Sequence, residues 1–218
     1  MAREDARTVS VIGATGGVGR HVVRRALEAG HRVRALARTP SKLSIAHQRL
    51  ERLRGDARDV GSLREAVRGA HLVLSCLGNR RGEAPVVARG TENLLAAMRD
   101  EGVERLALIS SIGVNESFPQ LFRLGPAGWV FALVLPTLLR ATKRDLDEAE
   151  RIARASGRTT VIVRPSGLSD GPGRGRWRAT DARGRVGASI PRADVAAFMV
   201  SLVEDTAHDG HVVSVGGP

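Results

Sequence analysis

The sequence predicts an α/β fold built on a single doubly wound parallel sheet, with a small carboxyl-terminal substrate or lid region. Three observations predict it. Apolar runs of strand length alternate with segments of helical period through the first half of the chain, the pattern of successive βαβ units. A glycine-rich turn, Gly13 to Gly19, stands directly between the first apolar run and the first helical segment. The run that ends at Ser110 is apolar enough to suggest burial on both faces, as in a parallel sheet.

Thr8 to Ile12 reads as the first strand and Arg20 to Ala29 as its helix. His31 to Ala37 is the second strand. A turn or short helix opened by Thr39 and Pro40 follows, then a short strand near Leu50 to Arg54, ended by Gly55 and Asp56. Leu63, Ala66 and Val67 recur at helical spacing, so Val60 to Arg68 reads as a helix that Gly69 stops. His71 to Cys76 is the fourth strand, a long helix centred on Thr91 to Asp100 ends at Gly102, and Val103 to Ser110 is the fifth strand. The rhythm then breaks. Residues 112–140 are mixed, Thr142 to Ala155 resumes as an amphipathic helix, and Thr159 to Val163 is the sixth strand. The Gly-, Pro- and Arg-rich stretch from Ser166 to Arg185 reads as loop with a short hairpin around Trp177. Pro191 opens a helix to Glu204, and His211 to Val215 is the last strand. A chain of 218 residues suits one core rather than two, so residues 1–218 are read as one domain with 112–140 and 166–190 as lid or substrate segments.

Hydrophobic residues at 42% and charged residues at 26% indicate neither disorder nor a membrane-embedded body. A net charge of +11 raises nucleic acid as a partner. The basic residues are scattered rather than clustered and tyrosine is absent, so no nucleic-acid partner is expected. Cys76 is the only cysteine and can close no intramolecular disulfide. Met1 to Arg7 is charged and runs straight into a strand, unlike a secretory signal. A cytoplasmic location is therefore expected, with the chain a monomer or homodimer. Leu124 to Leu139 is almost uninterrupted apolar sequence, yet it is shorter than the roughly 20 residues that span a bilayer and contains Pro126 and Pro136. A buried or lid helix is the better reading, with interfacial contact a minor one, and no membrane partner is expected. No metal site is expected either.

The glycine loop carries the sharpest chemistry. Gly13 lets the strand turn, Gly16 lets backbone approach a pyrophosphate, and Gly19 lets the helix pack closely. Thr15, Gly16, Gly17 and Val18 then present amides and a helix dipole to negative charge. The spacing is Gly-x-x-Gly-x-x-Gly rather than Gly-x-Gly-x-x-Gly, and no Gly-Lys-Ser or Gly-Lys-Thr follows it as in a P-loop. About 20 residues beyond such glycines a carboxylate would bind the ribose hydroxyls of NAD. Here the chain reads Ala37, Arg38, Thr39, with Lys42 just after, and these cations would grip a 2′-phosphate. NADP(H) is the expected cofactor. The bland alternative is that Arg38 is one more surface arginine.

With Gly55-Asp56, Leu77-Gly78-Asn79-Arg80, Gly90 through Asn93, Ser110-Ser111, Ser156-Gly157 and Arg164-Pro165, the chain resembles the atypical short-chain dehydrogenases, which include flavin reductase (biliverdin-IXβ reductase) and the NmrA-like proteins. The resemblance implies a Rossmann-like fold. It places Asp56 and Ala57 beside the adenine, and Leu77, Gly78 and Arg80 along the adenosine and phosphates. It brings Ser110, Ser111, Pro165 and Ser166 to the nicotinamide. Departures from the family pattern bear on mechanism. Many short-chain dehydrogenases use a Tyr-x-x-x-Lys pair, and this chain has no tyrosine. Lys143 falls three residues before the position where NmrA-like relatives carry lysine, which Leu146 occupies, so it reads equally as an i,i+4 partner of Asp147. Ser166 stands where flavin reductase carries histidine. His31 and His71 begin strands and read as structural, and Cys76 as a small buried hydrophobe.

Without a positioned acid, reduction of a simple ketone is disfavoured. A flavin, quinone or linear tetrapyrrole is stabilised on reduction by its own π system and takes its proton from water. The sequence therefore reads as an NADPH-dependent oxidoreductase that passes hydride to a planar acceptor, with Ser111 as the candidate catalytic hydrogen-bond donor. Phe118, Phe122, Trp129 and Phe131, together with Trp177, could close over that acceptor. A lid packing on itself, or a dimer contact, accounts for them equally. A non-catalytic NADP(H)-binding sensor of the NmrA-like type is the alternative function. Nucleotide-sugar epimerisation is weakened by the missing tyrosine and a short carboxyl-terminal segment.

Overall fold

The first strand, β1 (Thr8–Ile12), shows why the sheet lies in the middle of the molecule. Val9 and Val11 enter the core on one face and Ile12 the core on the other, so the strand is covered on both sides. The computed structural model describes residues 6–79, 82–137, 139–181 and 184–218, with the side chains of 123, 124, 127, 131 and 134–137 left aside. Eight strands lie in the order β3-β2-β1-β4-β5-β6-β10-β8. These are β2 (Arg32–Ala37), β3 (Leu50–Arg54), β4 (Leu72–Ser75), β5 (Arg105–Ile109), β6 (Thr159–Pro165), β8 (Arg178–Thr180) and β10 (Val212–Gly216) around β1. All neighbours run parallel except β8, which is antiparallel to β10. The chain builds outward from β1 one way to β3 and the other way from β4, and that reversal opens a crevice at the carboxyl ends of β1 and β4.

Helices cover both faces. α1 (Gly19–Glu28) and α6 (Arg192–Ser201) bury Val22, Val23, Ala26, Phe198 and Met199 against Val9, Val11 and Val163. α2 (Val60–Val67) and α3 (Val87–Asp100) bury Leu63, Val67, Leu94 and Met98 against Ile12, Val73 and Leu106 on the other face. α5 (Arg140–Arg154) sets Ala149 and Ala153 against Leu108 beside α3. Asp59 caps α2 by accepting from Gly61 N at 3.2 Å and Ser62 N at 2.9 Å. α3 has no such local cap. Its first amides, Val87 N and Ala88 N, donate instead to the Asp145 carboxylate of α5 at 2.9 and 3.0 Å, and Asn79 Nδ2 donates to the same group at 2.8 Å. One side chain thus ties the loop after β4, the start of α3 and α5 together.

The break in rhythm after β5 is a 3-10 segment (Asn115–Leu124) followed by α4 (Pro126–Thr137). Polar bonds anchor the segment's base. Arg164 of β6 is fully buried and donates to the fully buried Glu150 at 2.8 and 2.5 Å, and it also pairs with Glu116 at 3.2 Å. Asn115 Nδ2 donates to Glu150 at 2.8 Å, and Ser214 Oγ to Gln120 Oε1 at 3.0 Å. Burial works against the charge on Glu116, but bonds from Arg154 and Arg164 outweigh it and bring the carboxyl from 4.5 to about 2. A folded value below the unfolded one means this stabilisation is complete above about pH 4.5 and is lost as the pH falls toward 2.

The stretch from Ser166 to Arg185 departs from expectation. It forms no hairpin around Trp177: β8 joins the edge of the main sheet against β10, while β7 (Gly167–Ser169) pairs in parallel with β9 (Ser189–Pro191). β8 covers the backbone edge that β10 would otherwise present to solvent, and Trp177 packs edge-on to Phe198 at 6.4 Å. The last helix ends at Ser201 rather than Glu204.

Glu150→Gln leaves the buried Arg164 guanidinium with only the half-exposed Glu116 as counter-ion, so chemical denaturation should show a loss of about 3–5 kcal/mol. The paired change Glu150→Leu with Arg164→Met should recover most of it, and a single-variant loss below about 1 kcal/mol would contradict this role for the pair.

Candidate functional site

At the crevice, β1 ends in the glycine loop. Gly13 has φ +78°, and a Cβ there would lie 2.8 Å from the Cys76 carbonyl oxygen, so neither the turn nor the close pass over β4 admits a side chain. Gly16 N donates to Gly13 O at 2.9 Å and closes the loop. A Cβ at Gly19 would lie 2.2 Å from Gly13 O, so the start of α1 packs on the loop itself before the rest of the helix reaches the sheet. No side chain caps α1 and its first turn holds no acidic residue, so the positive end of its dipole stays uncompensated by a carboxylate, while Arg20 N donates to Gly16 O at 3.1 Å and His21 N to Val18 O at 2.9 Å. A cradle that Cβ atoms would fill and an uncapped helix start together fit a pyrophosphate.

A cleft of about 350 Å³ runs from this loop across the sheet edge. The end of β2 contributes Arg38 and Lys42, the end of β3 Asp56 and Ala57, and the end of β4 Leu77 and Gly78. Asp56 accepts from Arg58 N at 2.9 Å, and Asn93 Nδ2 holds Ala57 O at 3.1 Å. Gly90 of α3 makes room here, since a Cβ would press on Leu77 Cδ1 at 2.7 Å. Arg38 is ion-paired with Glu83 at 2.9 Å, and that bond raises its pKa. Arg80 lies outside the described residues. Cys76 also lines the cleft, and burial pushes its thiol up to about 12, which removes it as a nucleophile.

The cleft meets a second cavity of about 450 Å³ at Leu77 and Gly78. Ser110, Ser111, Pro165 and Ser166 all line this second cavity, and the wall between them is aliphatic: Ile109, Ile112, Leu121, Leu146 and Leu168. Among the described residues, no ionisable side chain lines it. The buried hydroxyls of Ser110 and Ser166 have no hydrogen-bond partner, although Ser166 Oγ lies toward Gly216. Ser111 Oγ donates to Ile112 O at 3.0 Å. Lys143 pairs with Asp147 at 2.6 Å and does not line the cavity. Thr142 and Leu146, one turn apart on α5, do line it, and they occupy the places that a Tyr-x-x-x-Lys spacing would give to phenol and amine.

The described aromatics do not close over this cavity. Phe118 packs edge-on to Phe122 at 6.0 Å, Trp129 is largely exposed and Trp177 belongs to the core beside α6, while the Phe131 side chain lies outside the described residues. Sequence reasoning missed Glu83, Arg58, Thr142 and Arg192. Arg192 stands against the glycine loop, where a Cβ on Gly17 would meet its Nε at 2.8 Å, and it pairs with Asp170 at 2.8 Å. No local pattern marks any of the four, because long-range packing brings them in. His31 and His71 precede β2 and β4 at the opposite edge, as expected.

Gly19→Ala must displace the loop backbone, so dinucleotide titration followed by fluorescence should weaken about tenfold or more. Gly17→Ala meets only the end of a flexible arginine and should stay within about threefold of the native chain. Equal effects at both positions would contradict the packing assigned to Gly19.

Residues 13–206 match the family model described as NAD(P)H-binding. The (4-alkanoyl-5-oxo-2,5-dihydrofuran-3-yl)methyl phosphate reductase of Streptomyces griseus is 31% identical over 218 residues, covering 96% of this chain and 68% of that protein. Cinnamoyl-CoA reductase 1 of Oryza sativa is 37% identical over 122 residues, 51% of this chain and 36% of that one. The chain thus spans between about a third and about two thirds of the length of these relatives. An anaerobillin reductase from Escherichia coli O157:H7 superposes with a TM-score of 0.77 at 25% identity over 97% of both chains. A short-chain dehydrogenase/reductase from Veillonella parvula, solved in complex with NADP, shares the fold with a TM-score of 0.77 at 18% identity over 97% of this chain and 95% of that one. A glycine cradle under an uncapped helix and a match over nearly the whole chain lead to one conclusion: the chain belongs to the NAD(P)H-binding family.

Proposed function

We propose that the chain is an NADPH-dependent reductase of a planar, π-conjugated acceptor such as a flavin, a quinone or a linear tetrapyrrole. The observation that carries this reading is the junction at Leu77 and Gly78, where a polar nucleotide cleft opens into an aliphatic cavity with no ionisable lining among the described residues. Bound NADPH would supply a hydride. The chain's own residues then bind, orient and exclude water. The glycine loop and α1 hold the pyrophosphate, and Asp56 with Ala57 lies along the adenine. Ser110, Pro165 and Ser166 flank the nicotinamide, with Ser110's unbonded hydroxyl available to its carboxamide. Ser111 is the donor placed to hydrogen-bond an acceptor oxygen, by turning its proton away from Ile112 O. With no acid in the cavity, the proton that completes reduction comes from water, which a π-stabilised anion tolerates and a simple alkoxide does not. Relatives named as reductases, including that of anaerobillin, support the class.

The preference for NADPH rests on Arg38 and Lys42, which follow β2 in place of the carboxylate that would meet a ribose diol there, although Asp56 and Glu83 from other elements line the same cleft. Glu83 pairs with Arg38 at 2.9 Å, and a 2′-phosphate would take over that guanidinium.

Two measurements test this. Mixing the chain with NADPH and a panel of flavins and quinones should consume nicotinamide absorbance at least about tenfold faster than the protein-free mixture. Tight binding of both oxidised and reduced cofactor with no turnover would instead assign the chain to the sensors. Arg38→Asp should weaken NADPH on the order of tenfold to a hundredfold while changing NADH less than about threefold. Equal losses for both would remove the 2′-phosphate from Arg38.

A further inference from the structure

We propose that α4 and the 3-10 segment before it form a docking surface for an anionic membrane, lying in the headgroup region with Phe122, Trp129 and Val130 as its inserted side chains. The helix is built inside out for a water-facing element. Its small residues, Gly128 and Ala132, point inward, and Ala132 packs on Ile112 and Leu121. The large apolar residues of α4 whose side chains are described point outward: Trp129 is 63%, Val130 64% and Leu133 72% exposed, with Phe122 of the preceding turn at 53%. Five of the six large apolar side chains exposed among the described residues fall between Phe122 and Leu139. Burial during folding does not account for that arrangement, and a contiguous exposed patch of this kind marks a contact surface. The Trp129 indole N–H already donates to Phe122 O at 3.1 Å, so the ring enters an apolar layer without an unsatisfied donor.

Charge decides the occupant. From Ser117 to Arg144 the chain carries no acidic residue, and its charges are Arg123, Arg140, Lys143 and Arg144. Arg140 and Arg144 are exposed and make no ion pair among the described residues. An apolar segment whose own charges are all cations, with Arg140 and Arg144 exposed beside it, matches a surface of anionic headgroups over acyl chains. A second copy fits worse, because a two-fold contact would bring two cationic rims together in a chain of net charge +11. The twelve residues of α4 lie on the bilayer rather than cross it, since no helix among the described residues is long and apolar enough to span. The proposal stands whether or not the cavity beside it turns over a substrate.

The 218-residue chain should cosediment with phosphatidylcholine vesicles holding about 30% phosphatidylglycerol at least about tenfold more than with phosphatidylcholine alone. Its tryptophan emission should shift to the blue on binding, and Trp129→Phe should remove the shift while keeping the binding. Trp129→Ser with Leu133→Ser, and separately Arg140→Glu with Arg144→Glu, should each lower vesicle binding about tenfold or more, with circular dichroism and thermal unfolding unchanged. The proposal is overturned by equal recovery on both vesicle types, by no recovery on either, or by binding that survives both double variants. A concentration-dependent dimer that Trp129→Ser with Leu133→Ser breaks apart would overturn it too, giving the face to a second copy.

Discussion

A Cβ on Gly19 would stand 2.2 Å from the carbonyl oxygen of Gly13, and the missing atom lets α1 begin where it does. Because the helix starts directly on the loop, its positive end stands beside the crevice with no capping side chain or carboxylate to neutralise it. The same loop passes so close to the end of β4 that Gly13 and Cys76 O nearly touch. The cleft downstream depends on this contact: Leu77 and Gly78 follow Cys76 immediately and form the junction between the nucleotide cleft and the aliphatic cavity. A backbone shift at the loop would therefore reach both ends of the site.

The second constraint is polar and buried. Asp145 replaces a local cap at α3 and gathers Asn79 as well, so α5, which walls the aliphatic cavity through Thr142 and Leu146, is fixed to the nucleotide side by one carboxylate. Arg164 and Glu150 do the same for the lid base, in a pair whose desolvation is offset by mutual bonding together with Glu116 and Asn115. Position, rather than a tuned acid or base, is what these networks provide to the chemistry. That is consistent with an acceptor able to take its proton from solvent.

Much of this was legible in the sequence where a residue's identity answers a local steric or electrostatic demand. Gly13 and Gly19 are readable because only a residue without Cβ fits. Arg38 is readable because it stands where a carboxylate would otherwise stand. The principal strands and helices are readable from their apolar period. Legibility fails where partners come from far along the chain: Asp145 meets Val87 across 58 residues, and Glu83 meets Arg38 across 45. β7, β8 and β9 have three residues each, too few for an alternation to register, so a parallel pair and an added edge strand read as loop. The aromatics misled for another reason. They cluster after strand ends where a ligand belongs, yet Phe118 and Phe122 satisfy each other, Trp177 finds Phe198, and ordinary leucines and isoleucines wall the cavity.

The central claim, that the loop and α1 cradle a pyrophosphate while Arg38 meets a 2′-phosphate, is tested most directly by a crystal structure of the chain soaked with NADP. The account predicts the diphosphate against the amides at the start of α1, the adenosine phosphate on Arg38 in place of Glu83, and the nicotinamide at Ser110 beside the aliphatic cavity. A cleft left empty at saturating nucleotide, or a nucleotide bound with its diphosphate away from the glycines, would contradict it.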